Sequence, residues 1–330
     1  MDTRYDVCGI GNALVDVLTD ATDADIDRFG LAKGTMRLID ADQASALYAQ
    51  LGPASELSGG SAANTVVGVA SLGGSAAFVG RVRDDQLGEV FAHDIRAAGV
   101  HYDVAIATDG PPTGRCLILV TPDAERTMNT FLGASQDLHP DDLTPDLLRA
   151  ANVTYLEGYL FDPPEAKEAF RAAAAMAREA GRLVALSLSD PFCVDRHRDD
   201  FVDLIDDVDL LFANEQEIVS LFGVATLDEA LDTVAEHCRH AAVTQGADGA
   251  TVIEEGRRID IPVHPVDHVV DTTGAGDLFA AGFLRAYTSG ADAETCGRLG
   301  ALAAAEIVSH TGARPARSLA QMAVDAGIRL

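Results

Sequence analysis

Short apolar runs at residues 5–10, 76–79, 153–156, 183–188, 210–212 and 240–244 recur along the chain without polar alternation. Runs of this kind are typical of strands buried on both faces of a parallel sheet. Between them, apolar positions fall at helical spacing, as at 165–180 and 227–237, and the segment Arg171-Ala172-Ala173-Ala174-Ala175-Met176 is a strong helix former. Alternation of strand and helix predicts an α/β fold with a doubly wound, mostly parallel sheet and right-handed crossovers. Ligands then bind beyond the carboxyl ends of the strands. Asp190, Asn214, Thr244 and Asp277 all follow strand-like runs.

Residues 13–19, 35–40 and 113–131 break the alternation. They read as strands without intervening helices, and the last is a hairpin turning at Thr121-Pro122-Asp123. The expectation is one large domain over residues 1–330 with these strands inserted, and not two sequential domains.

Two glycine segments carry the candidate chemistry. Asp271-Thr272-Thr273-Gly274-Ala275-Gly276-Asp277 follows residues that read as extended (262–266, 269–270) and runs into a helical pattern. Gly274 and Gly276 remove side chains that would keep an anion from the backbone amides, and the helix N-terminus adds partial positive charge. Asp277 supplies a carboxylate in the first turn. A phosphate cradle beside a base describes phosphoryl transfer to a hydroxyl, although a plain glycine turn with a first-turn acid gives the same pattern. Upstream, Ser58-Gly59-Gly60-Ser61-Ala62-Ala63-Asn64 opens another helix with small residues and one carboxamide.

Taken in this order, the two segments resemble the PfkB (ribokinase-like) family of sugar and nucleoside kinases over nearly the whole chain. The resemblance implies that Asp277 is the catalytic base and that Gly274, Ala275 and Gly276 form the anion hole. It implies that Gly59, Gly60 and Asn64 supply the hinge and hydroxyl contacts, with Asn12 and Asp16 holding sugar or ribose hydroxyls. Positions four apart on a strand share a face, so these last two side chains can converge. Asn214-Glu215-Gln216-Glu217 matches an Asn-x-x-Glu element in which Glu217 acts on magnesium through water. A helix cap with a first-turn acid gives the same residues. Thr244, Gly246 and Gly249 match a nucleotide-binding loop, and His310 to Pro315 resembles a loop closing around the nucleotide. The inserted strands become a small β lid over the acceptor, on which Arg126 swings toward the phosphates unless it is a solvated surface arginine. Asp271 can help order a monovalent cation such as potassium, as in several relatives. The implied cofactors are ATP and Mg2+, with K+ as an option.

The stretch from Pro112 to Ala134 looks most like the adenosine kinase branch, and Leu14, Leu38, Met128 and Phe131 supply apolar area for a purine. Adenosine is the expected acceptor. A fructose or ribose kinase is the alternative, and a nucleotide-binding regulator without turnover is a further one. Gly9-Ile10-Gly11-Asn12-Ala13-Leu14 only loosely evokes a dinucleotide fingerprint, since Leu14 replaces the small sixth residue. Neither lysine, Lys33 nor Lys167, stands in a P-loop.

Composition narrows the partners. A formal net charge of −28 over 330 residues argues against nucleic acid and anionic membranes. No apolar run reaches the ~18–20 residues of a membrane span, and residues 1–6 carry acids without an apolar core, so a cytoplasmic enzyme is expected. The five cysteines form no C-x-x-C pair and read as reduced thiols. Monomer and homodimer both stay open. The acid excess fits adaptation to high salt, where screening relieves self-repulsion. On that basis the melting temperature rises steeply from low to molar monovalent salt; a flat or falling curve in a thermal-melt series contradicts the adaptation.

Overall fold

A computed structural model describes residues 3–104, 106–123 and 125–329. In chain order the strands are β1 (Tyr5–Ile10), β2 (Leu14–Asp20), β3 (Met36–Leu38), β4 (Ala54–Gly59), β5 (Ala76–Val79), β6 (Val100–His101) and β7 (Gly114–Val120). They continue as β8 (Arg126–Phe131), β9 (Ala151–Glu157), β10 (Leu183–Ser187), β11 (Leu210–Asn214), β12 (His240–Thr244), β13 (Ala250–Glu254) and β14 (Arg257–Ile261). Nine of them form one sheet in the order β14-β13-β12-β11-β10-β9-β1-β5-β6. The six expected apolar runs are β1, β5 and β9 to β12, and their pairings with one another are all parallel. Helices cover them, which is why residues such as Val7, Phe78, Leu186 and Val243 are fully buried.

The far edge departs from the expected alternation. β13 and β14 form an antiparallel hairpin turning at Glu255-Gly256, both at positive φ, as two-residue hairpin turns require. Residues 262–266 and 269–270, which read as extended, contain no strand; Pro262 and Pro265 have no N–H to donate to a ladder.

Strand order reverses at β1, which pairs with β5 on one side and β9 on the other. Beyond the carboxyl ends of β1 and β9 lies the crevice where such sheets bind ligands.

The second sheet has the order β3-β8-β7-β2-β4. Residues 13–19, 35–40 and 113–131 supply β2, β3, β7 and β8. β4, largely polar in sequence, adds an antiparallel partner to β2. Register puts Asp16 beside Cys116, Cys116 opposite Thr130 and Thr130 beside Leu38; Ile118 lies opposite Met128, which neighbours Met36. Alternate residues share a face, so Leu14, Ile118, Met128, Met36 and Leu38 make an apolar field around Asp16. Arg126, two residues before Met128, sits at the end of the same face.

Among the described residues no helix is long and apolar enough to cross a membrane, and all five cysteines are buried and free. Two helix contacts depend on absent side chains. A Cβ at Gly68, in the helix Ser61–Ser71, would stand 2.6 Å from the Ala281 Cβ of the helix Ala275–Thr288. Gly282 of that second helix lies against the helix Ala293–Val308, where a Cβ would come 2.4 Å from Leu299 O. Alanine is the better helix former by about 1 kcal/mol, yet here the clash with backbone dominates. Gly282→Ala is expected to destabilise the protein by about 1–3 kcal/mol, read as a lower urea midpoint at unchanged slope; a raised midpoint contradicts this packing.

Candidate active site

The helices Ser61–Ser71 and Ala275–Thr288 begin at glycines in unusual conformations. Gly60 has φ +101°, and a Cβ there would lie 2.1 Å from Asn12 O; Gly274 has φ +79° and faces the Ala313 Cβ at 2.9 Å. No other residue fits either position without strain. Because Gly68 lets the two helices close, their N-termini meet at one point, and a first-turn acid on one reaches donors on the other. Ser61 Oγ donates to Asp277 Oδ1 at 2.6 Å, and Asn64 Nδ2 donates to Oδ2 at 2.9 Å. Burial raises the Asp277 pKa, while Ser61, Asn64 and the charge of Arg314 pull against it. Asn64 Oδ1 is buried with no partner among the described residues. The first-turn amides of a helix lack intrahelical acceptors, and Ala275 N turns back to Thr272 O at 3.1 Å, which leaves Gly276 and Asp277 to present theirs.

Both helix ends open onto a cavity of about 770 Å³ between the two sheets, within the range of small-molecule sites. Asn12, Leu14, Asp16, Met128 and Asn64 line one part of it. Asn214, Glu217, Thr244 and the Gly274 to Asp277 turn line another. Gly59 backs the site: a Cβ there would stand 2.5 Å from the Asp16 carboxyl. Asp16 is raised to about 6, chiefly by burial, with Arg314 and Arg126 opposing and Asp277 adding to the rise.

Four expectations change in detail. Asn12 lies in the turn before β2 and not on it, so strand periodicity does not bring it to Asp16; the crevice does. Its amide is also engaged, with Nδ2 donating to Glu157 Oε1 at 2.7 Å and Oδ1 accepting from Ser135 Oγ at 2.7 Å. Arg126 is buried and not solvated, and its Nη1 pairs with Asp271 Oδ2 at 2.9 Å, while Nε and Nη2 find no partner among the described residues. Asp271 also accepts from Thr273 N and Gly312 N. A monovalent cation at Asp271 would therefore share its oxygens with those three donors. Gly246 and Gly249 stand outside the cavity lining; Gly249 instead gives room to Ile261 O in the hairpin.

Asn214 and Glu217 form a capping box: Glu217 N donates to Asn214 Oδ1, and Asn214 N and Nδ2 donate to the Glu217 carboxylate. Burial raises Glu217 to about 7. No group of three or more metal-ligating side chains gathers among the described residues. The donor set fits a magnesium ion that arrives with phosphates and keeps its waters, and not an all-protein cage.

Sequence reasoning missed Glu157, an acid at the carboxyl end of β9. It accepts from Ala62 N at 2.7 Å and from Asn12 N at 3.2 Å, holding the Ser61 helix to the crevice, and burial lifts it to about 7. Its signal was an acid directly after a buried strand, the rule that had singled out Asp190. Also missed were Tyr159 and Phe192, which line the same cavity as the apolar sheet face; Phe192 is 74% exposed.

Comparison with known proteins gives this geometry relatives. A family model described as pfkB family carbohydrate kinase matches residues 35–319. A crystal structure of adenosine kinase from Sinorhizobium meliloti is 50% identical with a TM-score of 0.90, covering 98% of this chain and 100% of its own. That of a probable sugar kinase from Rhizobium etli is 49% identical with a TM-score of 0.91, covering 99% and 100%. The adenosine kinase of Saccharomyces cerevisiae is 29% identical over 325 residues, 92% of this chain and 94% of that protein. The chain belongs to the pfkB family of carbohydrate kinases, in its adenosine kinase-like branch, and is a phosphotransferase with an alcohol acceptor.

Proposed function

We propose that the enzyme transfers the γ-phosphoryl group of ATP to the 5′-hydroxyl of adenosine. The observation that carries this reading is the composition of the acceptor side: an apolar sheet face around one carboxylate, in a cavity that Phe192 also lines. Met36 and Leu38, 51% and 59% exposed, line that cavity with Phe192 and offer apolar area to a flat body such as a purine. A free sugar would leave that area unused. Asp16 would accept from two ribose hydroxyls, and the unpartnered Asn64 Oδ1 offers a further acceptor beside Asp277.

In the reaction, the acceptor oxygen forms a bond to the γ-phosphorus while the bond to the β–γ bridging oxygen breaks, and ADP leaves. Asp277 takes the hydroxyl proton. Its raised pKa makes it a better proton acceptor, and Ser61 and Asn64 fix the carboxylate without using all its lone pairs. The amides of Gly276 and Asp277 would stabilise charge on the migrating group, and the unpaired Nε and Nη2 of Arg126 are further donors for phosphate oxygens. The nucleotide would lie toward Asn214, Glu217 and Thr244. Magnesium, held through water by Glu217 and by the phosphates themselves, would neutralise phosphate charge. Four strands foreseen in the sequence, joined by β4, would act as a lid inserted in one large domain.

Asp277→Asn is expected to keep nucleotide binding, checked by calorimetry with ADP, and to lose roughly 10²–10⁴-fold in kcat; near-normal turnover contradicts Asp277 as base. Asp16→Ala is expected to raise KM for adenosine far more than for ATP, since charge-assisted hydrogen bonds are strong. Met128→Glu is expected to impair adenosine and spare fructose. Comparing kcat/KM for both acceptors in the wild type, Asp16→Ala and Met128→Glu decides the matter, and a wild-type preference for fructose would leave a sugar kinase.

A further inference from the structure

The chain crosses from the small sheet to the large one at several points, one of which is the joint Gly59-Gly60 between β4 and the helix Ser61–Ser71. A guanidinium from a remote loop spans that joint. Arg314 Nε donates to Ser58 O at 3.0 Å on the β4 side, and Nη1 donates to Ala63 O at 2.9 Å on the helix side. Nη2 donates to Ser58 O and, at 2.9 Å, to Ser58 Oγ. From the opposite side Asp94 Oδ2 accepts from Ser58 N and Oγ at 2.8 and 2.6 Å.

The loop bearing Arg314 is itself fastened. Glu306, fully buried, accepts at Oε1 from Ala316 N and Arg317 N, both at 3.0 Å, and its Oε2 lies 3.2 Å from His310 Nε2. Gly312 N reaches Asp271, the same carboxylate that pairs with Arg126 from β8. Ala313 packs on Gly274 of the anion turn. Two ties from the small sheet, one at β4 and one at β8, thus converge on the segment that seats the phosphate turn.

We infer that Arg314 is a positioning residue that ties the acceptor-side sheet to the Asp277-bearing helix pair across the Gly59-Gly60 joint and supplies the positive charge facing the acceptor carboxylates. The inference rests on the reading of Asp277 as base and Asp16 as hydroxyl clamp. A planar fork fixes two carbonyls in one geometry through separated donors, which a point-like ammonium with freely rotating donors does not. Its charge acts on Asp16, Asp94 and Asp277 without a direct ion pair to any of them, and burial pulls Arg314 down to about 10 against the opposing pull of those three acids. The groups bearing on Asp277 are Ser61 and Asn64 by hydrogen bond and Arg314 by charge, and its own charge is felt by Asp16, Glu157, Tyr155 and Tyr159. Within that set Arg314 is the cation.

Steady-state kinetics of wild type, R314Q, R314K and D277N over about pH 5–9 test this. Without the positive charge Asp277 is harder to ionise, so in R314Q the acid limb of kcat moves to higher pH. Its acceptor KM rises about tenfold while KM for ATP stays within about twofold, as expected for a lost charged hydrogen-bond tie. R314K keeps the charge and not the fork: its acid limb stays near the wild-type position and its acceptor KM is still raised. An unchanged limb and acceptor KM in R314Q, or equal rises in both KM values, overturns the inference. If R314Q does not fold by circular dichroism, R314K decides, and a wild-type acceptor KM there overturns it. Normal turnover in D277N would remove the base assignment alone, and the acceptor KM of R314K would still uphold or overturn the tie.

Discussion

The carboxylate of Asp277 is held by two side chains from a helix that begins 216 residues earlier. That contact fixes much of what surrounds it. The helices carrying the two partners must cross closely, which Gly68 permits, and their first turns must end at the same point, which Gly60 and Gly274 permit through conformations closed to other residues. Two helix N-termini then face one cavity and add partial positive charge where negative charge must gather. Glu157 binds the first turn of the Ser61 helix to the strand crevice. The sheet's reversal at β1 supplies the crevice itself.

The site also answers a problem posed by composition. A chain with net charge −28 must receive a polyanion. It gathers Asp16, Glu157, Glu217 and Asp277 near one cavity, and burial raises the pKa of each. Such acids are costly to ionise together. Each carboxylate takes hydrogen bonds, faces a cation or does both: Glu157 and Glu217 accept from backbone amides and asparagine, while Asp16 lies under the charge of Arg314 and Arg126. On the proposed reading, anion affinity would come from backbone dipoles and the unpartnered donors of Arg126 and not from lysine. Because the folded state holds these carboxyls protonated to higher pH than the unfolded chain does, their contribution to stability is full below about pH 4 and lost as pH rises toward about 7.

Much of this was legible in the chain. Parallel strands announced themselves because burial on both faces demands unbroken apolar runs, and Asp271 to Asp277 stood out because few folds need that density of glycine before an acid. Residues 54–59 were read for their glycines, and their polar character hid β4, a strand with one face in solvent. The β13–β14 hairpin escaped because the expected nucleotide loop, Thr244 to Gly249, ends immediately before it, and the strands that follow do not continue the strand–helix alternation. Asn12 was credited to a strand it precedes. Glu157, Arg314 and the Arg126–Asp271 pair are long-range partnerships, and local spacing carries no record of which distant group a buried charge will meet.

The central claim is that one carboxylate, prepared by the meeting of two helices, receives the proton of an adenosine hydroxyl. A crystal structure with adenosine and a non-hydrolysable ATP analogue tests it most directly. The account predicts the ribose 5′-oxygen within about 3 Å of an Asp277 oxygen, the other ribose hydroxyls on Asp16, and the purine between Phe192 and the Met128 face. Adenosine bound only toward Thr244, with no hydroxyl at Asp277, would contradict it.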